Sequence, residues 1–181
     1  MKKLAVIGRL AAAPNTGDTA SSNTNPAYVV TPLAGSKAAL KGKADMLYDD
    51  GSSIERAAAA ARAADAVVLI VGYTHNVEGE FLDPSTMQDL TGGDRNRLSP
   101  HPEDGQLIRA IADVNPRTVV AVMSGSAVPM EAWRERVTAI LMLWYPGMEG
   151  GHALADVLQG RVNPSGKLPF VIPNGLSISP S

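Results

Sequence analysis

The residue types best suited to chemistry lie close together in Glu78-Gly79-Glu80, with His75 just ahead and Gly93-Asp94-Arg95 closing the same polar stretch. Carboxyl groups can give or take a proton in a reaction, and a nearby imidazole or guanidinium can orient or hold a ligand. The stretch begins shortly after the most apolar run of the chain, Ala66 to Val71. In a parallel α/β sheet, the segment leaving the carboxyl end of a buried strand is where ligands usually sit. Glu78 and Glu80 in that place suggest acid/base work. Most carboxylate chemistry needs a second, opposing acid, and no convincing one stands elsewhere in the sequence. Spacing alone also fits a plainer reading. Two exposed loop carboxylates are common and silent, and Asp94 and Arg95 then pair with each other or close the loop.

Other chemistries find less support. There is no cysteine, so neither a disulfide framework nor thiolate chemistry is available. His75, His101 and His152 share no ligand spacing, and no metal or cofactor is called for. His101, between two prolines, reads as solvated, and His152 as packed in a first helical turn. Ser124-Gly125-Ser126 lacks the G-x-S-x-G elbow of a serine hydrolase, and Ser126 reads as a turn or cap residue. There is no G-x-G-x-x-G and no phosphate-binding loop with lysine. Gly147, Gly150 and Gly151 precede a helix and could cradle an anion. They also permit a tight strand-to-helix turn, which is the simpler reading. A net charge of −2 with scattered Lys and Arg argues against nucleic acid as the main partner. No segment is long enough to span a bilayer. The opening run from Leu4 to Ile7 is stopped by Gly8 and Arg9, too early for a signal peptide, and reads as a first strand. The compartment stays open.

These residues need a scaffold, and 181 residues suffice for one domain with a sizeable core. Aromatics make up only 4%, so Ala, Val, Leu, Ile and Met must build that core. Strands are expected at Leu4–Ile7, Ala44–Tyr48, Ala66–Val71, Thr118–Met123, Val137–Trp144 and, at an edge, Leu168–Ile172. Helices are expected from Pro32 to about Leu40 behind a Thr31 cap, and from Ile54 to Ala64 behind Ser52 or Ser53. Two more follow, one from Glu103 with Leu107, Ile108, Ile111 and Val114 on its apolar face, and one from Gly150 to Leu158. The alternation predicts a three-layer α/β/α sandwich around a mostly parallel sheet of about six strands. Right-handed crossovers would then gather Asn15–Asn25, Tyr73–Asp94, Ser124–Ser126 and Tyr145–Glu149 at one edge. The domain is expected over residues 1–173, with 174–181 as a tail or linker stub.

Several segments, in this order and spacing, carry a family likeness. They are Leu4-Ala5-Val6-Ile7-Gly8, Ala63 to Val68, Glu78-Gly79-Glu80 to Gly93-Asp94-Arg95, and Val119 to Gly125 with Pro129 and Trp133. Trp144 to Gly147 with Glu149-Gly150-Gly151, and Asn163 to Pro169, complete the set. From about Lys3 to Pro173 the chain resembles the C-terminal α/β sandwich domain of glycoside hydrolase family 3, the β-glucosidase-like enzymes.

The resemblance implies retaining hydrolysis shared between two domains. An N-terminal (β/α) barrel brings a nucleophilic Asp in a Ser-Asp-Trp-like motif, and the C-terminal domain lends a general acid/base Glu on a loop over the barrel's pocket. Such a pair of carboxyls stands about 5 Å apart. By motif position the acid/base is Glu78, the glutamate followed by glycine, with Glu80 the runner-up. Asp18, His75, Asp94 and Arg95 would contact the sugar, a β-linked glucoside or a related one. The sequence departs from the pattern at several points. It has no Ser-Asp-Trp, it carries Thr19-Ala20 where relatives tend to have Arg-Gly, and it has an insertion from Phe81 to Thr91. A non-catalytic carbohydrate-binding or assembly module is the alternative, although Tyr73, Phe81, Trp144 and Tyr145 are few aromatics for a stand-alone sugar platform. A nucleotide-binding α/β domain is weakened by the missing phosphate loop.

Overall fold

A computed structural model describes residues 1–17, 24–74, 77–78 and 102–172. Its centre is a five-stranded, wholly parallel sheet in the order β2-β1-β3-β4-β5. The strands are β1 (Lys3–Ile7), β2 (Asp45–Asp49), β3 (Ala66–Gly72), β4 (Thr118–Met123) and β5 (Ala139–Met142). Between and after them run α1 (Pro32–Leu40), α2 (Ile54–Arg62), α3 (Pro102–Val114) and α4 (Gly150–Leu158).

Strand alternation divides the core into two layers. Ala5, Ile7, Val67, Leu69, Val71, Val120 and Val122 face one side, where they meet Ala57 and Ala61 of α2 and Ile108 and Ile111 of α3. Leu4, Val6, Val68, Ile70, Ala121 and Met123 face the other side, with Leu40 of α1 and Leu154 of α4. Burial on both faces is why β3 reads as an uninterrupted apolar run rather than an alternating one. The alanines of α2 let that helix lie close to the sheet without large side chains between them.

Helix starts follow local chemistry. The Thr31 side chain accepts from the Ala34 N–H, and the Ser53 side chain from the Arg56 N–H, so each satisfies a donor that the first turn leaves unpaired. On the α1–α4 side, Gly35 lies so close to Gly151 that a Cβ there would stand 2.1 Å from the Gly151 carbonyl oxygen. The Gly151 N–H itself donates to the Val30 carbonyl. Gly151 therefore serves close packing against Val30, Thr31 and α1, with its N–H taken by Val30, while Gly147 has the positive φ of a turn and Gly150 lies against the Pro146 ring.

Two expected elements differ. β5 is shorter than Val137–Trp144, because Trp144 takes a φ of 56° and turns the chain out of the sheet. Leu168–Ile172 forms no strand. Pro169 lacks the N–H a ladder needs, and Phe170 instead packs edge-on against Trp144 with ring centroids 5.6 Å apart. His152 is half exposed rather than packed, with Nδ1 2.7 Å from Glu149 Oε2.

Three surface carboxylates tie segments together. Asp65 accepts from the backbone N–H groups of Lys2 and Lys3, which hold its pKa below the ordinary value. Asp50 is lowered by the Ser52 hydroxyl and N–H, and Glu149 by the Tyr28 hydroxyl and then His152. All three folded values lie below the unfolded ones, so the unfolded chain takes up protons first as pH falls. Their contribution is complete above about pH 4.5 and is lost as the pH drops through the folded values. Urea midpoints measured from pH 6 to about pH 3 are expected to fall steadily at the acid end. Replacing Asp50, Asp65 and Glu149 by their amides should flatten that slope.

Candidate active site

Four strand exits meet at one end of the sheet. The Asn15 Nδ2, beyond β1, donates to the Tyr73 carbonyl beyond β3 at 2.8 Å and lies 3.5 Å from the Met123 sulfur at the end of β4. Gly17 abuts the ring of Tyr145 beyond β5, where a Cβ would stand 3.1 Å from the ring. The gathering of loops expected from topology is therefore present for β1, β3, β4 and β5.

Glu78 sits at the centre of this convergence, half buried. Val77 and Glu78 both donate their N–H groups to the Thr74 carbonyl, and this tight turn swings the side chain across the β4 and β5 exits. Its carboxylate collects donors from both. The Gly125 N–H reaches Oε2 at 2.7 Å, and the Tyr145 hydroxyl reaches the same oxygen at 2.7 Å. The Ser126 hydroxyl reaches Oε1 at 2.8 Å. The buried Ser124 Oγ stands 3.1 Å from both oxygens and also accepts from the Ser126 N–H. Hydrogen bonds onto a carboxylate are shorter and stronger than neutral ones, so this cluster fixes the side chain firmly.

Beneath the cluster lies a second polar tie that the sequence did not disclose. Asp104 is buried and accepts from the Gly72 N–H at 3.2 Å, while Arg9 donates to the Gly72 carbonyl and stands 3.5 Å from Asp104. Asp104, an acidic residue in the first turn of α3, thus pins that helix to the last residue of β3. Both backbone groups of Gly72 are claimed, which holds the origin of the Glu78 segment in place.

Of the catalytic and sugar-binding residues expected from the family resemblance, Glu78 is the one among the described residues. Asp18, His75, Glu80, Asp94 and Arg95 lie outside the described residues. Sequence reasoning missed the partnership of Glu78 with Ser124, Gly125, Ser126 and Tyr145. A polar Ser-Gly-Ser turn at a strand exit, on the edge that should also hold the carboxylates, was the available signal. A separate groove of about 720 Å³ runs beside β5, lined by Met130, Ile140, Met142, Trp144 and Leu168 among others. Glu131, Arg134 and Lys167 also line it, so it is mixed in character, and it does not include Glu78.

Comparison with known proteins agrees with this architecture. Residues 1–181 match the family model for the glycosyl hydrolase family 3 C-terminal domain. The chain is 38% identical over 133 residues to a probable beta-glucosidase J of Neosartorya fischeri, covering 74% of this chain and 14% of that protein. It is 40% identical over 126 residues to a beta-glucosidase of Rhizobium radiobacter, covering 70% of this chain and 14% of that one. It therefore spans about a seventh of these relatives' length. Among solved structures, the family 3 beta-glucosidase of Bifidobacterium adolescentis superposes with a TM-score of 0.72 at 30% identity, over 88% of this chain and 23% of that one. The beta-D-glucoside glucohydrolase of Trichoderma reesei shares the fold with a TM-score of 0.82 at 24% identity, over 96% of this chain and 26% of that one. With the family model matched over its full length, the chain belongs to glycosyl hydrolase family 3, as the C-terminal domain of that family.

Proposed function

We propose that this domain supplies the acid/base segment and one wall of the sugar pocket to a retaining β-glucosidase. The nucleophile then comes from an N-terminal (β/α) barrel. The observation that carries this reading is the convergence of four strand exits around Glu78, on the carboxyl edge where α/β sheets place chemistry. The names of the relatives support the substrate class, a β-linked glucoside.

In the retaining reaction a carboxylate attacks the anomeric carbon while a protonated acid assists the leaving oxygen. Water then releases the sugar with the same acid, now a base, taking its proton. This domain's part is the second group, carried by the Glu78-Gly79-Glu80 segment, with Asp18, His75, Asp94 and Arg95 proposed as contacts to the sugar. Closing the segment against a partner domain excludes water and strengthens every charge interaction in the pocket.

The test is a single chain carrying the family's barrel ahead of this domain. It is expected to release nitrophenol from 4-nitrophenyl β-glucoside, and the same barrel without this domain is expected to be slower by at least about 10²-fold, the usual contribution of general acid/base catalysis. A folded two-domain protein that is no faster than the barrel alone refutes the reading.

A further inference from the structure

We infer that Asn15 is a positioning residue of the candidate site: from the exit of β1, its side-chain amide fixes the backbone that carries Glu78 to the turns leaving β4 and β5. It acts through Tyr73 and not on reacting atoms. The inference rests on the reading of the Glu78 segment as the acid/base segment, and extends it to a residue on a different loop.

The two residues that lead out of β3 have all four backbone groups engaged. The Gly72 N–H donates to Asp104, and the Gly72 carbonyl accepts from Arg9. The Tyr73 N–H donates to the Met123 carbonyl at 2.8 Å, and the Tyr73 carbonyl accepts from Asn15 Nδ2 at 2.8 Å. The next carbonyl, that of Thr74, receives the N–H groups of Val77 and Glu78. Asn15 therefore grips the last carbonyl before the turn that presents Glu78. The same loop reaches the site from its other side. Gly17, with a φ of 107°, lies against the ring of Tyr145, whose hydroxyl meets Glu78 Oε2 at 2.7 Å. Asn15, Tyr73, Glu78, Tyr145 and Gly17 thus close a ring of contacts, and one short span of the β1 exit locates Glu78 from both ends.

Stability is a poor reason for an amide at this place. A carbonyl only accepts, so the group facing Tyr73 must donate. The Met123 sulfur, 3.5 Å from the same nitrogen, is a weak acceptor. Turned over, the amide would aim Oδ1 at two acceptors, so its surroundings set its orientation. In that orientation Oδ1 is buried and has no hydrogen-bond partner among the described residues. An acceptor buried unpaired costs stability, which offsets much of what the bond to Tyr73 contributes. Leucine would fill the space without that cost, but it would leave the Tyr73 carbonyl free to turn. What the amide adds is geometry.

Two measurements decide the matter. In this chain, the Gly125 amide proton reports on Glu78, because its 2.7 Å bond to the carboxylate is charge-assisted. Its resonance in a nitrogen–proton correlation spectrum is compared in the parent, Glu78→Gln and Asn15→Leu, with Asn15→Ala as a second variant in case leucine does not fit. Glu78→Gln marks where the resonance lies without the carboxylate. Asn15→Leu is expected to stay folded, with little change in melting temperature, and to move the resonance more than half of the way to that mark. A smaller displacement overturns the inference. So does failure of both Asn15 variants to fold, since Asn15 is then a structural residue.

In the two-domain protein, Asn15→Leu is expected to lower kcat for 4-nitrophenyl β-glucoside by about 10²-fold, the scale of an ångström-sized misplacement, with KM nearly unchanged. An unchanged kcat, or a loss carried by KM alone, overturns the inference. If the two-domain parent is itself inactive, the proposed function fails, and the Gly125 resonance alone decides the role of Asn15.

Discussion

Replacing Gly72 by alanine is expected to strip the chain of much of its stability at 25 °C. Gly72 has a φ of 125°, which side chains rarely tolerate, and a Cβ there would lie 1.9 Å from the Met123 carbonyl oxygen and 2.8 Å from its carbon. The neighbour is backbone at the end of a central strand, so no side chain can swing away. Met123 in turn is held, since its carbonyl accepts from the Tyr73 N–H at 2.8 Å. Moving Gly72 would also pull its N–H and carbonyl from Asp104 and Arg9, leaving a buried carboxylate short of a donor. Clash, strained φ and lost hydrogen bonds together put the cost at about 4 kcal/mol or more, in the exceptional range for one substitution. A domain of this size is stable by only about 5–15 kcal/mol, so most of the margin goes. Urea unfolding followed by circular dichroism measures it. A midpoint close to that of the parent chain would show that β3 and β4 can separate at this point, against the packing described.

The same residue shows why some of this molecule was legible in its sequence and some was not. Signals that act within a few residues came through. Thr31 before Pro32, Ser53 before Ile54 and the apolar run after Asp65 each set a local boundary that tertiary structure did not override. The gathering of the strand exits also followed, because parallel strands joined by right-handed crossovers leave no other arrangement. Pairings across the fold did not come through. Glu78 meets Ser124, Gly125, Ser126 and Tyr145 across 46 to 67 residues of chain, and Asp104 meets Gly72 across 32. No periodicity records such contacts. The edge strand expected at Leu168–Ile172 failed for a related reason. Its apolar residues satisfy a strand pattern, but Pro169 and the attraction of Phe170 to the Trp144 ring draw them elsewhere.

The largest expected effect on activity concerns what this chain does by itself. Assayed alone, it is expected to release no nitrophenol from 4-nitrophenyl β-glucoside above the buffer rate. Retaining hydrolysis needs an attacking carboxylate on the far side of the anomeric carbon from the acid, with the two groups about 5–5.5 Å apart. Among the described residues Glu78 is the carboxylate held between the exits of β3, β4 and β5, where it accepts from Gly125, Ser126 and Tyr145. The proposed reading takes the attacking carboxylate from the barrel, and without it the acid has no partner step to assist. Removing one member of a catalytic unit typically costs as much as removing them all, of order 10⁶-fold in kcat in a well-studied protease. The isolated domain should therefore sit at least about 10⁴-fold below the two-domain protein even if residual sugar binding helps orientation. Steady-state assays at micromolar enzyme resolve such a difference easily. Turnover by the isolated chain that disappears in Glu78→Ala would mean that this domain contains a complete site, and the shared-pocket reading would have to be abandoned.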